Sequence, residues 1–241
     1  MSVKIGYWNK VSHHLYKRHS VALDVQLTGF IGWQKFGEIL ATAKNDRNRK
    51  LVLTTFKVGG RINEVLSSKH ENFRLMTSPE DGKEYLLCEA LPLSKRWRAL
   101  GKTVENGKTR YITEKVAAYR TFALPLADSV EPYSEEFRDF VLGEHSGLLF
   151  PTPYKALKGK SLTTTRAYQI MRYEIGVPLK LELYNHLLRA WRASQLKRER
   201  KFKADDLMAF FMWRDYKTAL IYAKEGVWGL AAKGLSSPKP S

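Results

Sequence analysis

The stretch from Tyr184 to Tyr222, YNHLLRAWRASQLKRERKFKADDLMAFFMWRDYKTALIY, constrains this chain more than any other. His186 and Arg189 stand three residues apart in it, and on a helix that spacing turns the imidazole and the guanidinium to one face, where both can converge on a single anionic group. A planar guanidinium takes two phosphate oxygens at once, and an imidazole gives or takes a proton near neutral pH. Trp213 follows Arg189 by 24 residues and Tyr222 follows Trp213 by nine. A tyrosine hydroxyl in that place is a candidate nucleophile. Taken alone, a His-x-x-Arg pair is more often a solvated pair on a helix surface. The order and spacing of four such residues is what singles this one out.

A second box lies far upstream. In VGGRINEVL, Val58 to Leu66, Gly59 and Gly60 allow a sharp turn and a close backbone approach to a phosphate, and Arg61 then projects from near a helix start with Glu64 three residues on. These two boxes, in this order, resemble the tyrosine recombinase (phage integrase) family, whose signature runs from a first arginine box to His-x-x-Arg, then His or Trp, then the nucleophilic tyrosine. The resemblance spans roughly residues 27–224.

What the resemblance implies is an α+β, mainly helical fold, the tyrosine recombinase catalytic domain with a small antiparallel β-sheet. It also implies a metal-independent, cofactor-free enzyme that breaks and rejoins DNA strands through a 3′-phosphotyrosyl intermediate. Arg61 and Arg189 would clamp the non-bridging phosphate oxygens, with Glu64 beside Arg61. His186 would assist proton transfer from Tyr222, and Trp213 would pack against or hydrogen-bond the phosphate. The family places a catalytic lysine on a β-hairpin shortly before a strand ending like Val-Pro-Leu. LPL at Leu124–Leu126 resembles that ending and points to Lys115, with Lys102 and Lys108 as rivals. The partners implied are double-stranded DNA and further copies of the chain, as a dimer or tetramer on DNA. A type IB topoisomerase-like nicking-closing enzyme shares the covalent chemistry, but its family has lysine and arginine where HLLR stands here. A basic DNA-binding protein without activity is the remaining alternative. Ala190 and Trp191 depart from the polar residues common after His-x-x-Arg in the family.

Charge agrees with a nucleic-acid partner. The 241 residues carry 41 Lys plus Arg against 24 Asp plus Glu, a formal charge of +17. No apolar run reaches the roughly 18 residues of a membrane span, and no signal-peptide core is present, so a cytoplasmic protein is expected, in a host cytoplasm if its origin is viral. The single Cys88 excludes an intramolecular disulfide framework, and neither Cys88 nor the histidines His13, His14 and His19 supply a zinc-spaced cluster.

Along the chain, residues 1–26 read as a basic N-terminal arm, too short for the separate core-binding domain that most members of the resembled family carry. GFIGWQKFGEILATAK, with Thr28 as a possible cap, and KLVLTTF read as helices supporting Arg61. Between Leu75 and Pro125 short alternating runs punctuated by Gly82 and Asn106-Gly107 read as antiparallel strands. SEEFRDFVLG and the span 163–175 read as helices, the latter ended by Gly176 and Pro178. The basic run Arg192, Lys197, Arg198, Arg200, Lys201 and Lys203 is a candidate DNA-backbone contact. Residues 225–241 read as a tail that docks on a neighbouring subunit.

Overall fold

The computed structural model describes residues 29–223 apart from 95–96, 107, 144 and 155–157. The expected basic arm, the Thr28 cap and the expected docking tail lie outside the described residues. Helix α1 (Trp33–Ala41) starts after Gly32 and buries Phe36, Ile39 and Leu40. Helix α2 (Asp46–Val58) is capped by the Asn45 side chain, which accepts from the Asn48 N–H, and nine of its residues are buried. Phe30, Trp33, Phe36 and Phe56 pack edge-on or tilted between these two helices.

Helix α2 ends where the VGGRINEVL box begins. Gly59 takes φ 59° and its N–H closes on the carbonyls of Thr55 and Phe56. A Cβ there would stand 2.5 Å from the Phe211 ring, so the position needs glycine for its backbone and for its surroundings. Two residues later Arg61 is the N-cap of the short helix α3 (Ile62–Leu66), and its own N–H is taken by the Glu64 carboxylate at 2.9 Å. The turn thus fixes both residues of the box at once.

Strands β1 (Phe73–Thr77), β2 (Glu84–Pro92) and β5 (Tyr119–Leu124) form an antiparallel sheet in the order β1-β2-β5. A bulge between Cys88 and Leu91 shifts the β2–β5 register. Along β5 burial alternates strictly, placing Arg120, Phe122 and Leu124 inward. The single sheet expected from the sequence is in fact two. Strands β3 (Trp97–Glu105) and β4 (Lys108–Lys115) form a separate hairpin between β2 and β5, turning at Asn106 in the left-handed region. Leu100, Val104, Tyr111 and Ile112 are all exposed, with Tyr111 and Ile112 on opposite faces. The described hairpin therefore leaves both faces off the core.

Helix α4 (Ser134–Val141) packs on α2, and α5 (Thr164–Gln169), capped by Thr163, widens into π turns over Ile170–Gly176. The central helix is α6 (Asn185–Arg200), buried continuously from Leu187 to Leu196. Helices α7 (Ala204–Phe211) and α8 (Tyr216–Ala223) fold back against it. Among the described residues no helix is long and apolar enough to cross a membrane.

Candidate active site

A cavity of about 320 Å³ is lined by Arg61, His186, Arg189, Trp213 and Tyr222, together with residues of the α7–α8 connection. Five of the six residues singled out as catalytic from the sequence therefore meet at one place. They come from the α3 cap, the first two turns of α6, the α7–α8 turn and α8. His186 and Arg189 share a face of α6, as their spacing requires, but differ in setting: the imidazole is exposed and the guanidinium is buried.

Glu64 anchors the cationic wall. Its fully buried carboxylate accepts from the Arg61 N–H at 2.9 Å and the Arg61 guanidinium at 3.0 Å, stands 3.8 Å from Arg189, and takes weaker bonds from Ser94. Burial works against this carboxylate, but the N–H and guanidinium of Arg61, followed by the Arg189 charge, outweigh it and hold the group below the usual range. Arg189 donates to the carbonyls of Gly59 and Phe211, the latter at 3.4 Å, and its guanidinium lies 4.7 Å from the centroid of the Phe211 ring and 5.7 Å from that of Trp213. Burial, then the neighbouring Arg120 charge, push Arg189 below the ordinary arginine value, yet a guanidinium starting so high stays a cation at neutral pH.

Tyr222 belongs to a stack of rings. Phe211 and Trp213 lie 4.6 Å apart at 12°, and Trp213 and Tyr222 5.1 Å apart at 19°. Burial raises the pKa of Tyr222, and Arg189 opposes that rise. The phenol is thus protonated at neutral pH, and a proton acceptor is needed before it can attack. His186 lines the same cavity.

The remaining expectations fare differently. Lys115 is the last residue of β4, opposite Trp97 at the base of the hairpin, and its side chain lies outside what the structure describes. Leu124, the first residue of LPL, ends the next strand, β5, so Lys115 lies on the hairpin shortly before the strand with that ending, the position the resemblance gives it. Arg192 is a correction. It was expected in an exposed basic run, but it is 1% exposed and donates to Glu131 and Gln195 at 2.7 Å each, which closes it off from a DNA backbone. Lys197, Arg198, Arg200, Lys201 and Lys203 gather at the other end of α6, roughly 20 Å from His186 at 1.5 Å per residue. There Arg198 holds the Phe30 carbonyl, Arg200 that of Val130, and Lys201 that of Arg198. The structure does not bring this run to the cavity.

One residue escaped the sequence reading. Arg120, 2% exposed, donates to the carbonyls of Val58 at 2.7 Å and Phe210 at 2.9 Å, directly beside the Arg189 contacts. A charged residue at an inward position of an alternating strand was the available signal. With Arg61 and Arg189 it makes three guanidiniums whose charges act on one carboxylate, an excess of two positive charges. Arg61 and Arg189 border the cavity and Arg120 lies behind it.

No protein-family model matches the sequence, and no curated protein is similar to it. Solved structures do match in fold. XerA recombinase aligns with a TM-score of 0.51 at 12% identity, over 90% of this chain and 69% of that one. The Tn1549 transposon integrase aligns with a TM-score of 0.53 at 12% identity, over 85% of this chain and 65% of that one. XerH site-specific recombinase aligns over 85% of this chain with a TM-score of 0.44 at 20% identity, and this chain spans about half of its length, 51%. The chain has the fold of the tyrosine recombinase catalytic domain. Within that fold it is an α+β example with a helical core, a three-stranded sheet and a separate two-stranded hairpin.

Proposed function

We propose that this chain is the catalytic domain of a site-specific DNA recombinase or integrase that works through a 3′-phosphotyrosyl intermediate. The observation that carries the reading is the convergence of Arg61, His186, Arg189, Trp213 and Tyr222 on one cavity with an excess of positive charge. A phosphodiester resists attack because the nucleophile meets a shielded anion, so cleavage needs charge neutralisation and an in-line nucleophile. Arg61 and Arg189 neutralise the non-bridging oxygens. Tyr222 Oη attacks phosphorus and gives its proton to His186. The bond from phosphorus to the 5′ oxygen breaks, and Lys115 protonates that oxygen. The products are a 3′-phosphotyrosyl link and a free 5′-hydroxyl, and attack by a new 5′-hydroxyl reverses each step. The Tn1549 integrase, similar in fold, was solved in complex with circular intermediate DNA, which supports DNA as the partner here. Self-association on DNA through the tail of residues 225–241 is part of the same proposal.

The test is a nicked suicide duplex that traps the covalent adduct. Wild-type protein forms an adduct that survives denaturation and forms equally in EDTA. Tyr222→Phe abolishes it while retaining binding. An adduct of wild-type yield from the Phe variant rejects the nucleophile, and loss of activity in EDTA rejects the metal-free scheme.

A further inference from the structure

We propose that Arg120 is a positioning residue for Arg189: it clamps the same two helix ends one carbonyl earlier and so sets the plane in which Arg189 meets the phosphate. This rests on the reading of Arg189 as a phosphate ligand.

The geometry is a pair of parallel forks. At the end of α2, Arg120 Nη2 holds the Val58 carbonyl and Arg189 Nη1 the next one, Gly59. At the end of α7, Arg120 Nη1 holds the Phe210 carbonyl and Arg189 Nη2 the next one, Phe211. Carbonyls at helix C-termini lack partners within the helix, and the negative end of each helix dipole favours a cation there. Two guanidiniums therefore bridge the same gap, one from β5 and one from α6.

The two forks differ in what they leave over. Arg120 is sealed, with Phe122 and Phe210 ring centroids 4.7 and 5.8 Å from its guanidinium. Arg189 reaches the cavity, and of its five N–H donors those not used on carbonyls remain for an anion. The direction of those donors follows from the separation of the Gly59 and Phe211 carbonyls. That separation is fixed one residue earlier by Arg120. If the inward face of β5 required only packing, an apolar side chain like those of Phe122 and Leu124 would serve, without a second buried cation that repels Arg189. A lysine keeps the charge but cannot fork across both carbonyls.

The experiment compares Arg120→Lys, Arg120→Met, Arg189→Ala and the Arg120→Lys/Arg189→Ala double variant. Three quantities are measured: the single-turnover rate of adduct formation on the nicked duplex, the duplex-binding midpoint, and the rise in Tm produced by sodium phosphate. Misplacing Arg189 by about an ångström should slow adduct formation by about 10- to 100-fold in Arg120→Lys, with the binding midpoint unchanged. In the Arg189→Ala background the same substitution should change the rate by less than about twofold, because the residue through which it acts is gone. A merely structural role would slow both backgrounds by the same factor, and that result overturns the proposal, as does a wild-type rate in Arg120→Lys. Arg120→Met replaces Arg120→Lys in each comparison if the lysine variant does not fold. If Arg189→Ala leaves no measurable adduct, or if wild-type protein forms none and the cleavage reading itself fails, the phosphate-induced Tm rise decides. It should be smaller in Arg120→Lys and absent in both Arg189→Ala backgrounds. A full rise in Arg120→Lys overturns the positioning role.

Discussion

Replacing Glu64 by Gln tests whether the cationic wall is held by a single counter-charge. The side chain is fully buried and is the acceptor for the Arg61 N–H, the Arg61 guanidinium and the Ser94 hydroxyl. Removing one partner from a buried ion pair costs about 3–5 kcal/mol, because the other charge is left uncompensated. The amide keeps one oxygen as an acceptor, and a retained hydrogen bond returns about 1 kcal/mol. The expected loss is therefore about 2–4 kcal/mol, a large share of the ~5–15 kcal/mol that holds a domain together.

Urea unfolding at pH 7, followed by circular dichroism, measures that loss. Repeating it at rising sodium phosphate gives the sharper result. An anion that binds only the folded state stabilises by RT ln(1 + [L]/Kd), about 1.4 kcal/mol per tenfold concentration above Kd. In the Gln variant all three guanidinium charges are uncompensated, so phosphate should bind it more tightly and its stability deficit should shrink as phosphate rises. Adduct formation by the same variant should fall even where DNA binding does not, because Arg61 loses one of the two Glu64 oxygens that hold it. A deficit below about 1 kcal/mol, or one that stays constant or widens with phosphate, would refute the account of Glu64 as the counter-charge of an anion site.

Two further predictions follow from other groups. Burial opposes the charge of Glu131, but Arg192 and Lys57 together hold it down to about 2, so its ionisation stabilises the fold above its unfolded pKa, and that stability is lost as pH falls toward 2. Wild-type stability should drop more steeply than that of Glu131→Gln between pH 5 and pH 3, and parallel profiles in urea titrations would contradict this. The hairpin lysine is tested with a bridging 5′-phosphorothiolate, whose sulfur departs without a proton. Lys115→Ala should regain cleavage on it, and recovery at Lys102 or Lys108 in place of Lys115 would move the assignment along the hairpin.

Where the sequence was legible, one physical constraint acted over a short span. The three-residue spacing of His186 and Arg189 specifies a shared helix face whatever surrounds it, and Gly59 with Gly60 specifies a turn that delivers Arg61. Arg120 was missed because its role depends on the register of β5 against β2 and on where two distant helices end. Arg192 was misread because α6 is buried on every face from Leu187 to Leu196, which no single-face periodicity announces, and its partner Glu131 arrives from a loop no local pattern connects to α6. In the basic cluster beyond it Arg198, Lys201 and Lys203 are exposed and Lys197 and Arg200 half-buried. Lys201 holds the helix's own Arg198 carbonyl, as cations at a helix C-terminus commonly do, while Arg198 and Arg200 hold the Phe30 and Val130 carbonyls of other segments.

Among the described residues the buried charged groups are Lys57, Arg120, Arg189 and Arg192 against Glu64 and Glu131. They fall into two sets built on the same rule, a carboxylate facing more than one cation, with backbone carbonyls taking up further donors. Around Glu131 the set is closed: Lys57 and Arg192 are each 1% exposed, and Lys57 also donates to the Pro132 carbonyl and the Ser134 hydroxyl. Around Glu64 the set is open, because Arg61 keeps 31% of its side-chain surface and Arg189 borders the cavity. A closed set can only hold the fold, since an anion has no path to its donors. The open one exposes guanidinium donors beside a stacked tyrosine, and that difference in access, with the charge pattern nearly the same, is what makes it the candidate site.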